Sequence, residues 1–461
     1  MAIRRHHGGF PIWKMIPRLR ALVVASLILP ACSARADVLL ERRARDAINR
    51  ATKFLCSITT HGGYAGIYAL DLSERYSESL RNRIPPSKVW IQPPGTPAVG
   101  EVFLRAYRLT RDRTYLDAAR NVGRCLAWAQ RESGGWSYLA DMKDFRRDFK
   151  RPPRKPGACT FDDDTTQAAV TFLMHLDQVL DEPWLSDAVE LGLKHVRLSQ
   201  FSNGAWPQRY PLRGGYHDYY TFNDKVINSC IGVMLEAHEL YRDNQCLHSA
   251  RRGGDFMIAS QLSRPRAGWA QQYSHDMKPA PARNFEPLAV CSLVTARNIT
   301  TLFDLYLYTG DRKYLDPIEP AIEWLEKSKL AKDRWARFYD PGTGRAVYGD
   351  TDGKLHDTLE EISEERRHGY AWQGSFGIPK VIRRWETLLR SGPERFRAEG
   401  LKRSIPSMKE VVRLESRVAR IIKSQDSRGR WVRDDKIYIL DFVTNLKVLC
   451  QYLEVQKENS P

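Results

Sequence analysis

A recurring distance organises this chain. The segments Asp112-Arg113-Thr114-Tyr115-Leu116-Asp117, Asp181-Glu182-Pro183-Trp184-Leu185-Ser186 and Asp311-Arg312-Lys313-Tyr314-Leu315-Asp316 share one pattern, and a weaker copy surrounds Leu247. Each reads as a turn between helices. From the four leucines the chain runs 20, 21, 22 and 20 residues to Trp136, Trp206, Trp269 and Trp335, and the first three tryptophans follow Gly135, Ala205 and Gly268. Successive tryptophans are 70, 63 and 66 residues apart, room for two helices and a loop per copy. Outer copies are expected to end at Tyr64, in His61-Gly62-Gly63-Tyr64, and at Trp431, in Gly429-Arg430-Trp431. Between these landmarks apolar residues recur three and four apart, which predicts helices over 98–109, 115–129, 165–180, 184–198, 288–308 and 314–330. Short alternating pieces occur near Trp335 to Tyr348. Helical hairpins that cannot bury a face alone must stack side by side. The pattern therefore predicts an all-α fold, an α/α toroid-like array of helical hairpins forming a single domain over residues 40–458, with long functional loops gathered on one face.

The amino end reads as a signal peptide over residues 1–36. Arg4, Arg5, Lys14, Arg18 and Arg20 are basic, Ala21 to Pro30 is apolar, and Ala34-Arg35-Ala36 is a small-x-small cleavage signal. The apolar run is too short to span a bilayer, so no stable membrane insertion is expected. The expected localisation is secreted or periplasmic, and a second reading places Cys32 at a lipoprotein cleavage site, which Pro30 fits poorly. Removing residues 1–36 takes six Lys/Arg and no acid from a formal charge of +17, leaving +11. A basic exported chain points to an anionic polymer such as an acidic polysaccharide, or to a membrane surface, more than to nucleic acid. Seven cysteines remain, an odd number with several on apolar helical faces, which argues mostly buried thiols and at most one or two bridges.

Four loop segments carry polar residues that a scaffold alone does not need. Ser202 to Lys225 is broken by Pro207, Pro211 and Gly214-Gly215, is rich in Trp206, Tyr210, Tyr216, Tyr219, Tyr220 and Phe222, and bears Arg209, Arg213, Asp218 and Asp224. A helical pattern follows at once, so Asp224 either caps that helix or serves a site. Asp162-Asp163-Asp164 likewise leads into a helix; three adjacent carboxylates either favour the helix start or hold a hard cation, for which calcium is suited. Arg283 lies between Pro281 and Pro287, with Glu286 as an ion-pair partner if the role is only structural. Finally, Arg337 lies in Trp335-Ala336-Arg337-Phe338-Tyr339, and Arg366, Arg367 and Tyr370 in Glu364 to Trp372. Arginines among aromatics suit a sugar acid, gripping carboxylates while rings cover sugar faces; the alternative is a helix end salt-bridged to Glu361, Glu364 and Glu365.

Taken in order, these segments resemble the pectate lyases of polysaccharide lyase family ten. The matching strings are Phe161-Asp162-Asp163-Asp164-Thr165-Thr166-Gln167, Trp206-Pro207-Gln208 through Asn223-Asp224, Trp269-Ala270-Gln271-Gln272, Pro281 to Glu286, Trp335 to Tyr339 and Glu365 to Trp372. The resemblance implies calcium-assisted β-elimination of polygalacturonate. It also implies a role for each matching residue: Asp162, Asp163, Asp164 and Asp224 as metal ligands, Arg283 as the base, and Arg209, Arg337, Arg366, Arg367 and Tyr370 on the substrate. Thr351 and Lys225 depart from the family pattern, and Lys225 sets a cation beside the expected metal site. Two other readings of the same scaffold are a glycoside hydrolase using a pair of these carboxylates and a non-catalytic binder of acidic glycan.

Overall fold

The computed structural model describes residues 30–150, 152, 154–402 and 408–459. Residues 1–29 of the expected signal segment and the Cys32 side chain lie outside what is described, and the helix Pro30–Ile58 begins within that segment. The chain is all-α in class, helical hairpins in series joined by loops with short two- to four-residue strands, as expected of an α/α toroid-like array. The described residues divide into two compact units, one within 30–90, 94–125 and 408–459, the other within 91–93 and 126–402.

The first unit joins the two ends of the chain. Its helices Pro30–Ile58, Thr96–Thr110, Met408–Lys423 and Ile439–Asn459 pack together, and a four-stranded antiparallel sheet sets Ile67 opposite both Tyr438 and Tyr76. Arg105 clasps Glu454 with Nε and Nη2 at 2.8 and 2.6 Å.

The second unit shows why the tryptophans recur. Each indole is wholly buried, and its N–H donates to a carbonyl near the end of the preceding helix: Trp136 to Leu126 at 2.8 Å, Trp206 to Val196 at 2.8 Å, Trp269 to Met257 at 2.7 Å and Trp335 to Leu325 at 2.6 Å. A buried indole N–H needs such a partner, so ring and turn are held together. The expected outer copies obey the same rules within the first unit. Trp431 donates to the Ile421 carbonyl at 3.0 Å, and the Tyr64 amide donates to Thr96 Oγ1 at 3.0 Å, as the Trp136 amide does to Thr166 Oγ1 at 3.1 Å.

A second staple accompanies the tryptophan. Gln130 donates from Nε2 to the carbonyls of Gly134 and Ala188, Gln200 to those of Gly204 and Ser249, and Gln261 to those of Ala267 and Pro317, all at 2.8–3.0 Å. One amide thus ties each turn to the next hairpin. Gly134 and Gly204 let the turn approach that hairpin: both have positive φ, 103° and 96°, and a Cβ would sit 2.3 Å from the Leu191 carbonyl oxygen or 2.1 Å from that of Arg252.

Two helix starts differ from expectation. The helix expected from residue 288 begins at Ser292, because Val290–Cys291 is a strand paired with Phe338–Tyr339. The helix expected from residue 314 begins at Ile318, after a 3₁₀ turn Arg312–Tyr314 whose Lys313 amide is capped by Asp311. Of the seven described cysteines six are buried and Cys56 is exposed, and all seven are free thiols. Among the described residues no helix is long and apolar enough to cross a membrane.

Candidate active site

Within the second unit the same turn occurs twice. In Thr160-Phe161-Asp162-Asp163-Asp164 and in Thr221-Phe222-Asn223-Asp224-Lys225 the threonine hydroxyl accepts from the amide two residues on, at 3.0 and 3.1 Å. Each phenylalanine ring is fully buried, and its amide donates to the carbonyl of Gln208 or Gln271. The last two residues of each turn are left-handed: Asp163 and Asp164 have φ of 48° and 60°, Asp224 and Lys225 of 46° and 65°. Such conformations cost non-glycine residues free energy and mark sites where the backbone serves something other than stability. The capping reading fails here. Asp164 and Lys225 stand at the N-cap positions of the following helices, and neither makes a side-chain capping bond.

What the turns do is bring carboxylates together. Asp162, Asp163 and Asp224 each offer an oxygen within 4.8 Å of the others. Tyr138 donates its hydroxyl to Asp162 Oδ2 at 2.6 Å, and Gln92 donates to Asp163 Oδ2 at 3.0 Å. Asp162 Oδ1 and Asp164 Oδ1 are buried without a hydrogen-bond partner. Burial first, then the charges of Asp162 and Asp163, push the Asp224 carboxyl up to about 7. Crowded oxygens, with Asp162 Oδ1 orphaned among them, form a donor set of the kind a hard cation such as calcium takes. Of the four expected ligands Asp164 lies apart from the tight triad, its Oδ2 4.0 Å from Lys225 Nζ.

Beside this cluster lies a stack of cations and rings. Arg283 donates from Nε and Nη2 to Glu286 at 2.8 and 2.7 Å, a bidentate pair whose glutamate side chain is 1% exposed. Tyr370 donates its hydroxyl to the same carboxylate at 2.8 Å. Burial opposes the charge of Glu286, yet Arg283 and Tyr370 hold its carboxyl below the ordinary value. The same hydrogen bonds raise the pKa of Arg283, with a smaller contribution from the charge of Asp224. Three guanidinium groups share two rings: Arg337 lies 4.3 Å from the Tyr370 centroid, Arg366 4.0 Å from that of Phe285, and Arg283 4.9 Å from Phe285. Arg337 and Arg366 each keep a buried Nε without a partner.

Other expected site residues have structural duties. Arg367 donates to the carbonyls of Leu359, Glu360 and Ile362, and neither it nor Arg366 pairs with Glu361, Glu364 or Glu365. Arg209 sits opposite Thr160 in a two-stranded ladder and donates to the Gly214 carbonyl at 2.6 Å. Buried Asp218 accepts from the Arg213 and Gly214 amides, shaping the same loop. Half of the six rings of that loop are core: Trp206 and Phe222 are fully buried and Tyr220 packs on Phe256, whereas Tyr210, Tyr216 and Tyr219 are half-buried, Tyr216 stacked on His217. Tyr138 and Gln92 touch the carboxylates in a way that spacing alone did not single out, and Glu286 is the Arg283 partner that the sequence offered.

Comparison with known proteins agrees. A family model described as pectic acid lyase matches residues 130–334 and 326–382, together more than half of the chain and including both turns and the cation stack. No curated protein matches the sequence. Among solved structures, the family 10 polysaccharide lyase from Cellvibrio cellulosa is similar at 22% identity and a TM-score of 0.50, covering 62% of this chain and 97% of that one. A mutant of that lyase, solved in complex with trigalacturonic acid, is similar at the same identity and TM-score over 64% of this chain and 98% of its own. At such identity the likeness speaks for the fold. The family match over the very segments that build the site makes this chain a member of the pectic acid lyase family, the polysaccharide lyases of family ten.

Proposed function

We propose that this lyase cleaves polygalacturonate by β-elimination with calcium bound at Asp162, Asp163 and Asp224. The carrying observation is the meeting of those three carboxylates within 4.8 Å, beside a guanidinium cluster. When bound, calcium would withdraw charge from a uronate carboxylate and so acidify the adjacent C5 proton.

The chain's own residues supply the rest. Arg337 and Arg366, set over the Tyr370 and Phe285 rings at 4.3 and 4.0 Å from the centroids, are the cations placed to meet uronate carboxylates. Arg283 is the base: Glu286 takes Nε and Nη2, so Nη1 of the neutral guanidine accepts the C5 proton, the C5–H pair forms the C4–C5 double bond, and the glycosidic oxygen leaves C4 with its bonding pair and takes a proton from water. Glu286 fixes the guanidinium plane but also stabilises its charge. The neutral guanidine is therefore scarce, and the rate should climb with pH over the alkaline range. Export of the mature chain after residue 36 belongs to the same proposal, supported by the basic, apolar and small-x-small segments in order at the amino end.

The experiment is absorbance of the unsaturated product from polygalacturonate at alkaline pH, with calcium, with chelator, and with Arg283→Ala. Signal that requires calcium and falls about 10³-fold in the variant supports the reading; undiminished activity in chelator overturns the metal role, and undiminished activity of the variant overturns the base.

A further inference from the structure

The two turns that build the acidic cluster differ at their last position, and the difference is a charge. Asp164 and Lys225 occupy equivalent places, both left-handed, both at an N-cap position without capping, and they face each other with Lys225 Nζ 4.0 Å from Asp164 Oδ2. Lys225 follows Asp224 directly, so its ammonium stands at the rim of the site while its neighbour contributes to the cluster. We propose that Lys225 is a tethered counter-charge that sets the affinity of the cluster for its cation, holding Asp164 outside the ligand triad and keeping the metal exchangeable.

This inference rests on the reading of the cluster as a calcium site. The physical argument is short. Three carboxylates, Asp162, Asp163 and Asp224, meet at the two turns with Asp164 next to them in the chain, and one oxygen each of Asp162 and Asp164 is buried without a partner. Without a cation their repulsion opposes folding; with a dication and an ammonium together, the two positive charges repel each other. Lys225 therefore stabilises the metal-free protein and weakens metal binding. Its side chain is half-exposed, so solvent screens the effect. An interaction of one ammonium with a dication in that setting corresponds to roughly a tenfold change in the dissociation constant.

The test is calorimetric titration of calcium into the mature chain, its Lys225→Met variant and its Lys225→Arg variant, together with thermal unfolding of each in chelator. Expected is about tenfold tighter calcium binding by Lys225→Met, a constant within threefold of the parent for Lys225→Arg, and a lower melting temperature for Lys225→Met in chelator that excess calcium abolishes. Circular dichroism of each variant establishes that it is folded. If both parent and Lys225→Met bind calcium with the same constant, or if the variant binds more weakly, Lys225 is only a surface ion pair and the proposal falls. If neither binds calcium, the metal reading fails and this inference with it. If only Lys225→Met binds measurably, the parent holds no exchangeable calcium, and both the metal reading of the parent and this proposal fall.

Discussion

The pair Arg283–Glu286 invites the most demanding test, because the same contact serves stability and chemistry in opposite ways. Glu286 is a carboxylate 1% exposed whose oxygens take Arg283 Nε at 2.8 Å, Arg283 Nη2 at 2.7 Å and the Tyr370 hydroxyl at 2.8 Å. Removing Arg283 strands that charge. Breaking a fully buried pair costs about 3–5 kcal/mol; Arg283 is 48% exposed and Tyr370 stays in place, so Arg283→Ala should cost about 2–3 kcal/mol in urea unfolding. Adding Glu286→Gln removes the stranded charge while its amide oxygen still accepts from Tyr370, so the double variant should recover about 1–2 kcal/mol over the single. Product absorbance separates the roles: both variants should be inactive, since folding is restored and the base is not. A double variant no more stable than Arg283→Ala refutes the buried-charge argument. Recovery of lyase activity in the double variant refutes the base, because Arg283 would then serve only to neutralise Glu286.

Three further outcomes follow from the same geometry. The Asp224 carboxyl, pushed up to about 7 by burial and by Asp162 and Asp163, has a folded value above the unfolded one of 3.8; its stabilising contribution is present below about pH 4 and lost as pH rises through 7. In chelator the urea midpoint should fall across that window, Asp224→Asn should flatten the fall, and an unchanged slope in the variant would contradict the assignment. Gly204→Ala should cost about 2–4 kcal/mol, since φ is 96° and the new Cβ would lie 2.1 Å from a carbonyl oxygen; Gly214→Ala, at φ 87° with open space, should cost only about 1 kcal/mol, and equal losses would discredit the close-approach argument. Gln200→Ala should cost about 2 kcal/mol in the same assay by orphaning the Gly204 and Ser249 carbonyls, without altering activity per folded molecule; a neutral result would show that water replaces the amide.

How far the sequence speaks depends on whether a residue acts along its own segment or across space. The tryptophan repeat was legible because each indole answers a carbonyl near the end of its own hairpin, a distance of ten residues for Trp136, Trp206 and Trp335 and twelve for Trp269, so geometry imposes near-constant spacing. Helix ends at 292 and 318 were less legible, since a strand partner at Phe338–Tyr339 and a capped turn at Asp311 override the apolar period. The carboxylates were visible as a run but their purpose was not: the sequence cannot tell a capping Asp from one held left-handed, and only the backbone at Asp163, Asp164 and Asp224 turns the oxygens away from the helix ends. Tyr138 and Gln92 matter through what they touch, and Gln92 reaches Asp163 from 71 residues away, whereas Glu286, three residues from Arg283, was legible as its partner. Gln130 and Gln200 each precede their tryptophan by six residues, a period as regular as the tryptophans themselves, but a glutamine carries no periodic apolar signal and its two acceptors lie on different hairpins. Along this chain, what buries surface repeats visibly, whereas what satisfies a buried polar atom becomes legible only when both partners are in view.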